Sequence, residues 1–173
     1  MYPYLRFIKI LITARFKSRL PYNGKSTVRF LVWPWDADIY PEMNNGRHLT
    51  LMDLGRFDLS IRTGLWQVVR KNKWGLVVAG ASVRYRRKLR PFDLFSIESQ
   101  CVGYDQKWFY FYQETIKKGV KCSSALIRGA MLDENGLIES KKALAAMGVK
   151  EWQSQVPAWV KAWIEADKLR PVM

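Results

Sequence analysis

The sequence predicts a single α+β domain in which one long helix is covered by a curved antiparallel sheet. Three observations lead to this fold class. One strand precedes a long helical segment, four extended segments follow that helix in quick succession, and helical sequence stands at both ends of the chain. Short connections force neighbouring strands to run antiparallel, and a helix that is apolar on several sides needs a sheet to cover it. The 173 residues, 49% of them hydrophobic, are enough for one domain with its own core.

Residues 1–24 are predicted to form a basic amphipathic helix ahead of the sheet. One side of its helical wheel is polar and the other is mostly apolar. The polar side holds Arg6, Lys9, Thr13 and Lys17, and the apolar side holds Leu5, Ile8, Leu11 and Ile12. A helix of this kind either packs on its own domain or attaches to an anionic membrane surface. We favour packing on the domain, and the segment lacks the uncharged apolar block and cleavage site of a secretory signal.

The core of the fold is expected within residues 25–137 and begins with one strand. Side chains alternate between apolar and polar over residues 26–33, which is typical of a half-buried strand. An acidic loop follows, and Pro34 and Pro41 exclude regular structure from it. The strand should therefore deliver the chain directly into this loop.

A long helix is predicted to begin after a cap at Asn44 or Asn45 and to run to about Thr63. Gly64 then provides the left-handed conformation that ends many helices. Apolar residues stand on more than one side of this helix, with Gly55 among them. They include Leu49, Met52, Phe57, Leu59 and Ile61. The helix is therefore expected to be central and buried.

The remaining sheet is predicted from four extended segments separated by turn sequences. The segments are residues 76–89, 93–103, 107–117 and 120–132, and the turns are "RPFD", "YDQK" and "KKGV". Aromatic residues, which favour pleated surfaces, are dense in "WFYFYQET". Residues 138–173 then form a helical extension, with Pro157 suited to a first helical turn. This order of elements is that of the hotdog fold.

The stretch "DADIYPEMNNGRHL" resembles the signature of acyl-CoA thioesterases of the four-hydroxybenzoyl-CoA type. That signature is commonly written D-x-D followed by H-x-N-N and a tyrosine. The resemblance extends loosely from about Thr27 to about Leu137. It implies a hotdog fold, hydrolysis of acyl thioesters of coenzyme A or of an acyl-carrier protein, and a homodimer or homotetramer with active sites between subunits.

The resemblance also implies roles for individual residues. Asp38 matches the second aspartate of the motif, which in this family acts as nucleophile or as base for water, and Asn44 and Asn45 match the asparagine pair. Two positions depart from the family pattern. Glu42 stands where the family usually has histidine, and His48 stands where it usually has tyrosine.

The chemistry of a thioester explains why such acids could serve a function. Hydrolysis needs a positioned carboxylate and a group that holds the developing oxyanion. The N-terminus of the long helix supplies free backbone N–H groups and a partial positive charge. Asp38 is therefore expected to attack or to activate water while this helix terminus polarises the carbonyl. Capping and helix-dipole effects alone would also favour acids here, and we assign that structural role to Asp36.

The sequence leaves two roles open for each of Glu42 and His48. Glu42 either replaces the missing family histidine as acid or base, or only pairs with Arg47. His48, the single histidine, either faces the site or packs beside it. Candidate catalytic residues are thus Asp38, Glu42, Asn44, Asn45 and His48.

A basic stretch, "VRYRRKLR", provides the candidate contact with coenzyme A. Strand alternation places Arg84, Arg86 and Lys88 on one face, and guanidinium groups bind phosphate in a bidentate manner. Arg84, Arg86 and Arg87 are the candidate phosphate ligands. The alternative is that these charges protect an edge strand against aggregation. The apolar wall of an acyl tunnel would come from Met52, Phe57 and Ile61 and from Phe109 or Phe111.

The net charge of +14 attracts polyanions of several kinds. We prefer an acyl-CoA thioesterase acting on a fatty or aromatic acyl group. A hotdog protein that binds acyl-CoA or a lipid without turnover is second, and a nucleic-acid or membrane-surface protein is third. We expect no specific nucleic acid, no metal, and no cofactor other than the coenzyme A of the substrate. Two cysteines cannot form a disulfide framework, which fits a cytoplasmic protein, free or attached to the inner face of a membrane.

Overall fold

A computed structural model of the chain describes residues 2–149, 152 and 155–171. Its helices are α1 (Tyr4–Phe16), α2 (Asn45–Thr63), α3 (Leu65–Lys71), α4 (Ser140–Ala146) and α5 (Ala158–Lys168). Its strands are β1 (Lys25–Leu31), β2 (Gly75–Tyr85), β3 (Leu94–Tyr104), β4 (Phe109–Lys117), β5 (Val120–Asp133) and β6 (Gly136–Leu137). A short 3₁₀ turn, Pro34–Asp36, connects β1 to the acidic loop.

The strands form one antiparallel sheet in the order β1-β3-β4-β5-β2, and the two-residue β6 adds to β5. The sheet curls around α2, which contacts β1 and β3. The predicted α+β class, with a long central helix inside a sheet of about five strands, is therefore confirmed. β3 pairs with β4 and β4 with β5, as the short turns predicted. The expected pairing of β2 with β3 across "RPFD" is wrong, because β2 pairs with β5 at one edge of the sheet and β3 pairs with β1.

The core lies between α2 and the sheet. Leu51, Met52 and Leu54 are fully buried. Gly55 allows the close approach of helix to sheet, because a Cβ atom at this position would lie 2.8 Å from Ser99 Oγ and 3.0 Å from Ile97 Cγ2. The caps of α2 are those predicted. Asn44 is the N-cap, and Gly64 ends the helix with a φ of 86°.

Three local features differ from the sequence prediction. Strand β2 ends at Tyr85, four residues before the predicted end, because Arg86 and Arg87 both donate their N–H groups to Cys122 O and so break the regular ladder. Helix α3 was not expected from the sequence. Pro157 is the N-cap of α5 rather than part of its first turn.

The N-terminal helix packs against α2, as preferred from the sequence. Its buried residues are Ile10 and Ala14. The predicted polar side is not simply solvent-facing, because Arg6 and Lys17 form ion pairs with the buried carboxylates of Asp36 and Asp58.

The predicted C-terminal extension contains α4 and α5. Some of its residues, together with the first residue of the N-terminal segment, lie outside the described residues. These are Met1, Lys150, Glu151, Gln153, Ser154, Val172 and Met173.

Candidate active site

The acidic loop folds back onto the N-terminus of α2. Ala37 and Met43 form an antiparallel bridge, and Asp38 N donates to Glu42 O at 2.9 Å. At the base of the loop, Asn44 N donates to Asp36 O at 2.9 Å. The loop is thus a small hairpin that ends at the helix cap, and Asp38 lies one residue beyond the bridge.

Asp36 is held by two cations inside the protein. Its side chain is 1% exposed, with Arg6 Nη2 at 2.6 Å from Oδ2 and Arg47 Nε at 3.1 Å from Oδ1. The carboxylate also accepts a hydrogen bond from Trp33 N at 2.9 Å. This arrangement supports a structural role for Asp36, since burial and partners fix both oxygens.

Asp38 has a different environment from the other two acids of the loop. It is partly exposed, and its Oδ1 accepts a hydrogen bond from Tyr40 N at 2.8 Å. Within residues 2–149, 152 and 155–171, no basic group lies within ion-pair distance of this carboxylate. Glu42, in contrast, pairs with Lys88 Nζ at 3.3 Å, and the predicted alternative of a pair with Arg47 is wrong. Among the described residues, Asp38 is therefore the acid of this loop that lacks a cationic partner.

Asn44 and Asn45 make different hydrogen bonds at the start of α2. Asn44 Oδ1 accepts from Gly46 N at 2.9 Å, and Asn44 O accepts from the N–H groups of Arg47 and His48. Asn45 O accepts from Tyr85 Oη at 2.9 Å, which ties the first turn of α2 to the end of β2. Among the described residues, no hydrogen-bond acceptor is found for Asn45 N, so this N–H remains a donor at the helix terminus.

His48 lies in the core rather than beside Asp38. It is 4% exposed, and its Nδ1 is 3.0 Å from Ser123 Oγ, which in turn is 2.8 Å from Thr115 Oγ1. The ring also meets the edge of Tyr85 with centroids 5.2 Å apart. Burial lowers the pKa of His48 from 6.5 to about 4, so the imidazole is neutral near pH 7. No contact joins His48 to Asp38 in the described part of the chain.

The residues that contact the first turns of α2 were not predicted from the sequence. Tyr85, Ser123 and Thr115 lie on β2, β5 and β4, and cross-strand pairing places Tyr85 opposite Ser123 and Ser123 opposite Thr115. Only the correct register of three strands could have brought these residues together, and local sequence patterns do not carry that information.

The candidate phosphate ligands lie on the opposite face of the sheet. Because Tyr85 reaches the first turn of α2, strand alternation directs Arg84 to the outer face. There, Arg84, Arg86 and Arg87 line an open groove of about 1200 Å³ together with Tyr112, Trp159 and Trp163. Lys88 was predicted to share this face, but it pairs with Glu42 instead.

A second space, a largely apolar cavity of about 270 Å³, lies beside the C-terminal half of α2. Of the five residues expected to line an acyl tunnel, Phe57, Phe109 and Phe111 line this cavity, whereas Met52 and Ile61 are buried outside it. Asp53 is the cavity residue of α2 nearest to the helix N-terminus. Eight residues separate it from Asn45, which corresponds to about 12 Å along the helix.

Neither a metal site nor a membrane span emerges from the described residues. No group of three or more histidine, cysteine, aspartate or glutamate side chains there could hold a metal ion. No described helix is long and apolar enough to cross a membrane.

Comparison with known proteins identifies related chains. The family model of the thioesterase-like superfamily matches residues 32–164. Protein THEM6 of Drosophila melanogaster is 26% identical over 157 residues, which cover 89% of this chain and 79% of that protein. Protein THEM6 of Xenopus laevis is 37% identical over 86 residues, 50% of this chain and 42% of that protein. Probable thioesterase YBR096W of Saccharomyces cerevisiae is 27% identical over 119 residues, 67% of this chain and 52% of that protein.

Solved structures share the same fold. The probable thioesterase YbaW from Escherichia coli aligns with a TM-score of 0.64 at 22% identity, covering 72% of this chain and 96% of YbaW. Protein SAV2348 from Staphylococcus aureus, solved in complex with CoA, aligns with a TM-score of 0.65 at 14% identity, covering 83% of this chain and 96% of that one. The chain spans about half the length or less of the frog and yeast relatives, but nearly all of these two structures.

Proposed function

The chain belongs to the thioesterase-like superfamily, and from that premise we propose that it hydrolyses the thioester of an acyl-CoA with Asp38 as its carboxylate. One observation carries this proposal. Of the three acids in the loop before α2, Asp36 and Glu42 have cationic partners and Asp38 has none among the described residues. A carboxylate that is not paired with a cation is a better nucleophile and general base than one that is.

The helix terminus supplies the second requirement of the reaction. As the tetrahedral intermediate forms, negative charge develops on the carbonyl oxygen of the thioester. The free N–H of Asn45 and the positive end of the α2 dipole would stabilise that charge. Asn44 supports this arrangement because its side chain fixes the first turn through Gly46 N. Asp38 acts as nucleophile or as general base for water.

The proposed substrate is a fatty rather than an aromatic acyl-CoA. The apolar cavity begins about 12 Å along α2 from Asn45, so a small aromatic ring held at the helix N-terminus would not fill it. An extended acyl chain could span this distance and bury its tail against Phe57, Phe109 and Phe111. On the outer face, Arg84, Arg86 and Arg87 would bind the phosphates of coenzyme A.

We further propose that the chain forms a homodimer or homotetramer in the cytoplasm. In the described structure, β2 pairs on one side with β5 and leaves its other edge open, with Leu76 and Val78 on its surface. An open strand edge of eleven residues can pair with a second copy. The two buried free cysteines suit a reducing compartment.

A non-catalytic acyl-CoA-binding protein is the second candidate function. The observation in its favour is the ion pair between Lys88 and Glu42 at 3.3 Å. This pair occupies the position at which the family usually has histidine, and it offers no free acid or base there. A protein of this kind would bind the ligand and release no thiol.

The proposal is tested by thiol release from acyl-CoAs of increasing chain length. We expect the wild type to prefer long chains and Asp38→Asn to lower kcat/KM by roughly 10²–10⁴-fold, because the variant removes the attacking or proton-accepting group. Binding of a non-hydrolysable acyl-CoA thioether should change only a few-fold.

Asp133→Asn is the matched control. Asp133 Oδ1 accepts a hydrogen bond from Asn135 N at 2.9 Å, the same local turn that Asp38 makes with Tyr40, but at the far end of β5. Its turnover should equal that of the wild type. Ligand binding without thiol release by the wild type would establish the second candidate instead.

A further inference from the structure

Helix α1 has an apolar side that faces away from the protein. Leu5 and Phe16 are 85% and 86% exposed, and Ile8 and Ile12 are 50% and 53% exposed. Their spacing of three, four and four residues places all four on one stripe of the helix. Since Ile10 and Ala14 already anchor the opposite side, packing on the domain does not use this stripe.

Two exposed basic residues flank the apolar stripe. Lys9 and Arg15 lie on either side of it on the helical wheel, and both are exposed. In the described part of the chain, neither forms an ion pair, whereas Arg6 and Lys17 on the inner side are paired with Asp36 and Asp58. No acid precedes Asp36 in the sequence. The outer side of α1 is therefore apolar along its centre and positively charged at its margins.

We propose that the outer side of α1 binds the surface of an anionic lipid membrane. The four apolar side chains would enter the boundary between headgroups and acyl chains, and the helix would lie in the plane of the interface. Lys9 and Arg15 would extend to the phosphates of the headgroups. The net charge of +14 adds long-range attraction to such a surface.

Charge favours a membrane over a second copy of the chain as the occupant. Two α1 stripes packed against each other would bring Lys9 and Arg15 of both copies together without an acid on either helix. Like charges placed next to one another oppose association. An anionic bilayer supplies the complementary charge, and its planar surface accepts a convex helix without a groove.

The test is co-sedimentation of the full chain with phosphatidylcholine vesicles prepared with and without phosphatidylglycerol. We expect the wild type to bind the anionic vesicles and to bind neutral vesicles at least tenfold more weakly, because basic residues near an anionic surface contribute about fivefold each. Leu5→Gln/Ile12→Gln, which changes no charge, should weaken binding to anionic vesicles about tenfold or more. Leu169→Gln, at an 85% exposed leucine after α5, should bind as the wild type does.

The charge variants make the test specific to α1. Lys9→Glu/Arg15→Glu should abolish sedimentation, and Lys71→Glu/Lys73→Glu, with the same change in net charge at an exposed site elsewhere, should retain most of it. Equal losses in both charge variants, or equal binding by the stripe variant and the wild type, would overturn the proposal. So would concentration-dependent dimerisation that Leu5→Gln/Ile12→Gln removes. These assays measure no hydrolysis, so their outcome is independent of the proposed activity.

Discussion

The guanidinium group of Arg6 lies 2.6 Å from the buried carboxylate of Asp36, and this pair joins α1 to the loop in front of α2. Arg47, in the first turn of α2, contacts the other oxygen of the same carboxylate. One acid thus connects the N-terminal helix, the acidic loop and the central helix. Asp38, two residues further on, forms no ion pair within the described part of the chain.

This difference predicts that two conservative substitutions, Asp36→Asn and Asp38→Asn, affect stability to very different extents. Asp36→Asn should lower the free energy of unfolding by about 3 kcal/mol, because it removes the buried negative charge that contacts both Arg6 and Arg47. Asp38→Asn should change it by less than about 1 kcal/mol, since the amide oxygen can still accept from Tyr40 N. Urea denaturation measures both, and equal losses would show that Asp38 is also a structural residue.

The buried imidazole of His48 predicts a pH-dependent stability. Its folded-state pKa of about 4 lies below the ordinary value of 6.5, so the unfolded chain binds more protons between these values. The stabilisation is complete above about pH 6.5 and is lost as the pH falls toward 4. At pH 5 the free energy of unfolding should be lower than at pH 7 by about 2 kcal/mol from this group alone.

The chain has one histidine, so its titration can be followed directly by NMR. The Hε1 resonance should shift with a midpoint near pH 4. In His48→Gln, the pH dependence of urea denaturation between pH 7 and 5 should be shallower than in the wild type. A midpoint above about 6 would mean that the ring is solvated and can exchange protons with a substrate.

The contact between α2 and β3 predicts that Gly55 does not tolerate a larger residue. Gly55→Ala should lower the free energy of unfolding by about 2 kcal/mol, because the overpacking against Ser99 and Ile97 outweighs the helix propensity that alanine adds. Gly46→Ala is the control on the same helix, with its nearest contact at 3.3 Å from the side chain of Asn44. A gain in stability at both positions would show that α2 can move away from the sheet without cost.

The open groove lined by Arg84, Arg86 and Arg87 predicts that reversing these charges affects KM differently for two substrates. Arg84→Glu/Arg86→Glu should raise KM for an acyl-CoA at least tenfold and leave KM for the corresponding acyl-pantetheine nearly unchanged, because only the former carries the nucleotide phosphates. Lys71→Glu/Lys73→Glu controls for net charge. Equal increases for both substrates would refute phosphate binding and favour protection of the exposed β2 edge as the role of these arginines.

Local sequence patterns sufficed to predict the central helix and the five longer strands in their chain order, but not α3. The Asn44 cap, the Gly64 terminus and the alternation in β1 depend on residues within a few positions of each other. Family resemblance singled out Asp38 as the candidate carboxylate, and the structure shows that the neighbouring acids Asp36 and Glu42 have cationic partners. The pairing of Glu42 with Arg47 failed as a prediction, since Lys88 approaches from a turn more than forty residues away in sequence.

The amino-acid sequence by itself determined the fold class, the position of the central helix and the acidic loop before it, because periodicity, caps and turns act locally. Only the tertiary structure decided which acids of the loop have a cationic partner, why His48 is neutral, and on which face of the sheet the arginines lie. It also decided that the apolar stripe of α1 faces outward. These properties depend on strand register and helix packing, which bring together residues far apart in the chain and change the electrostatic environment of each.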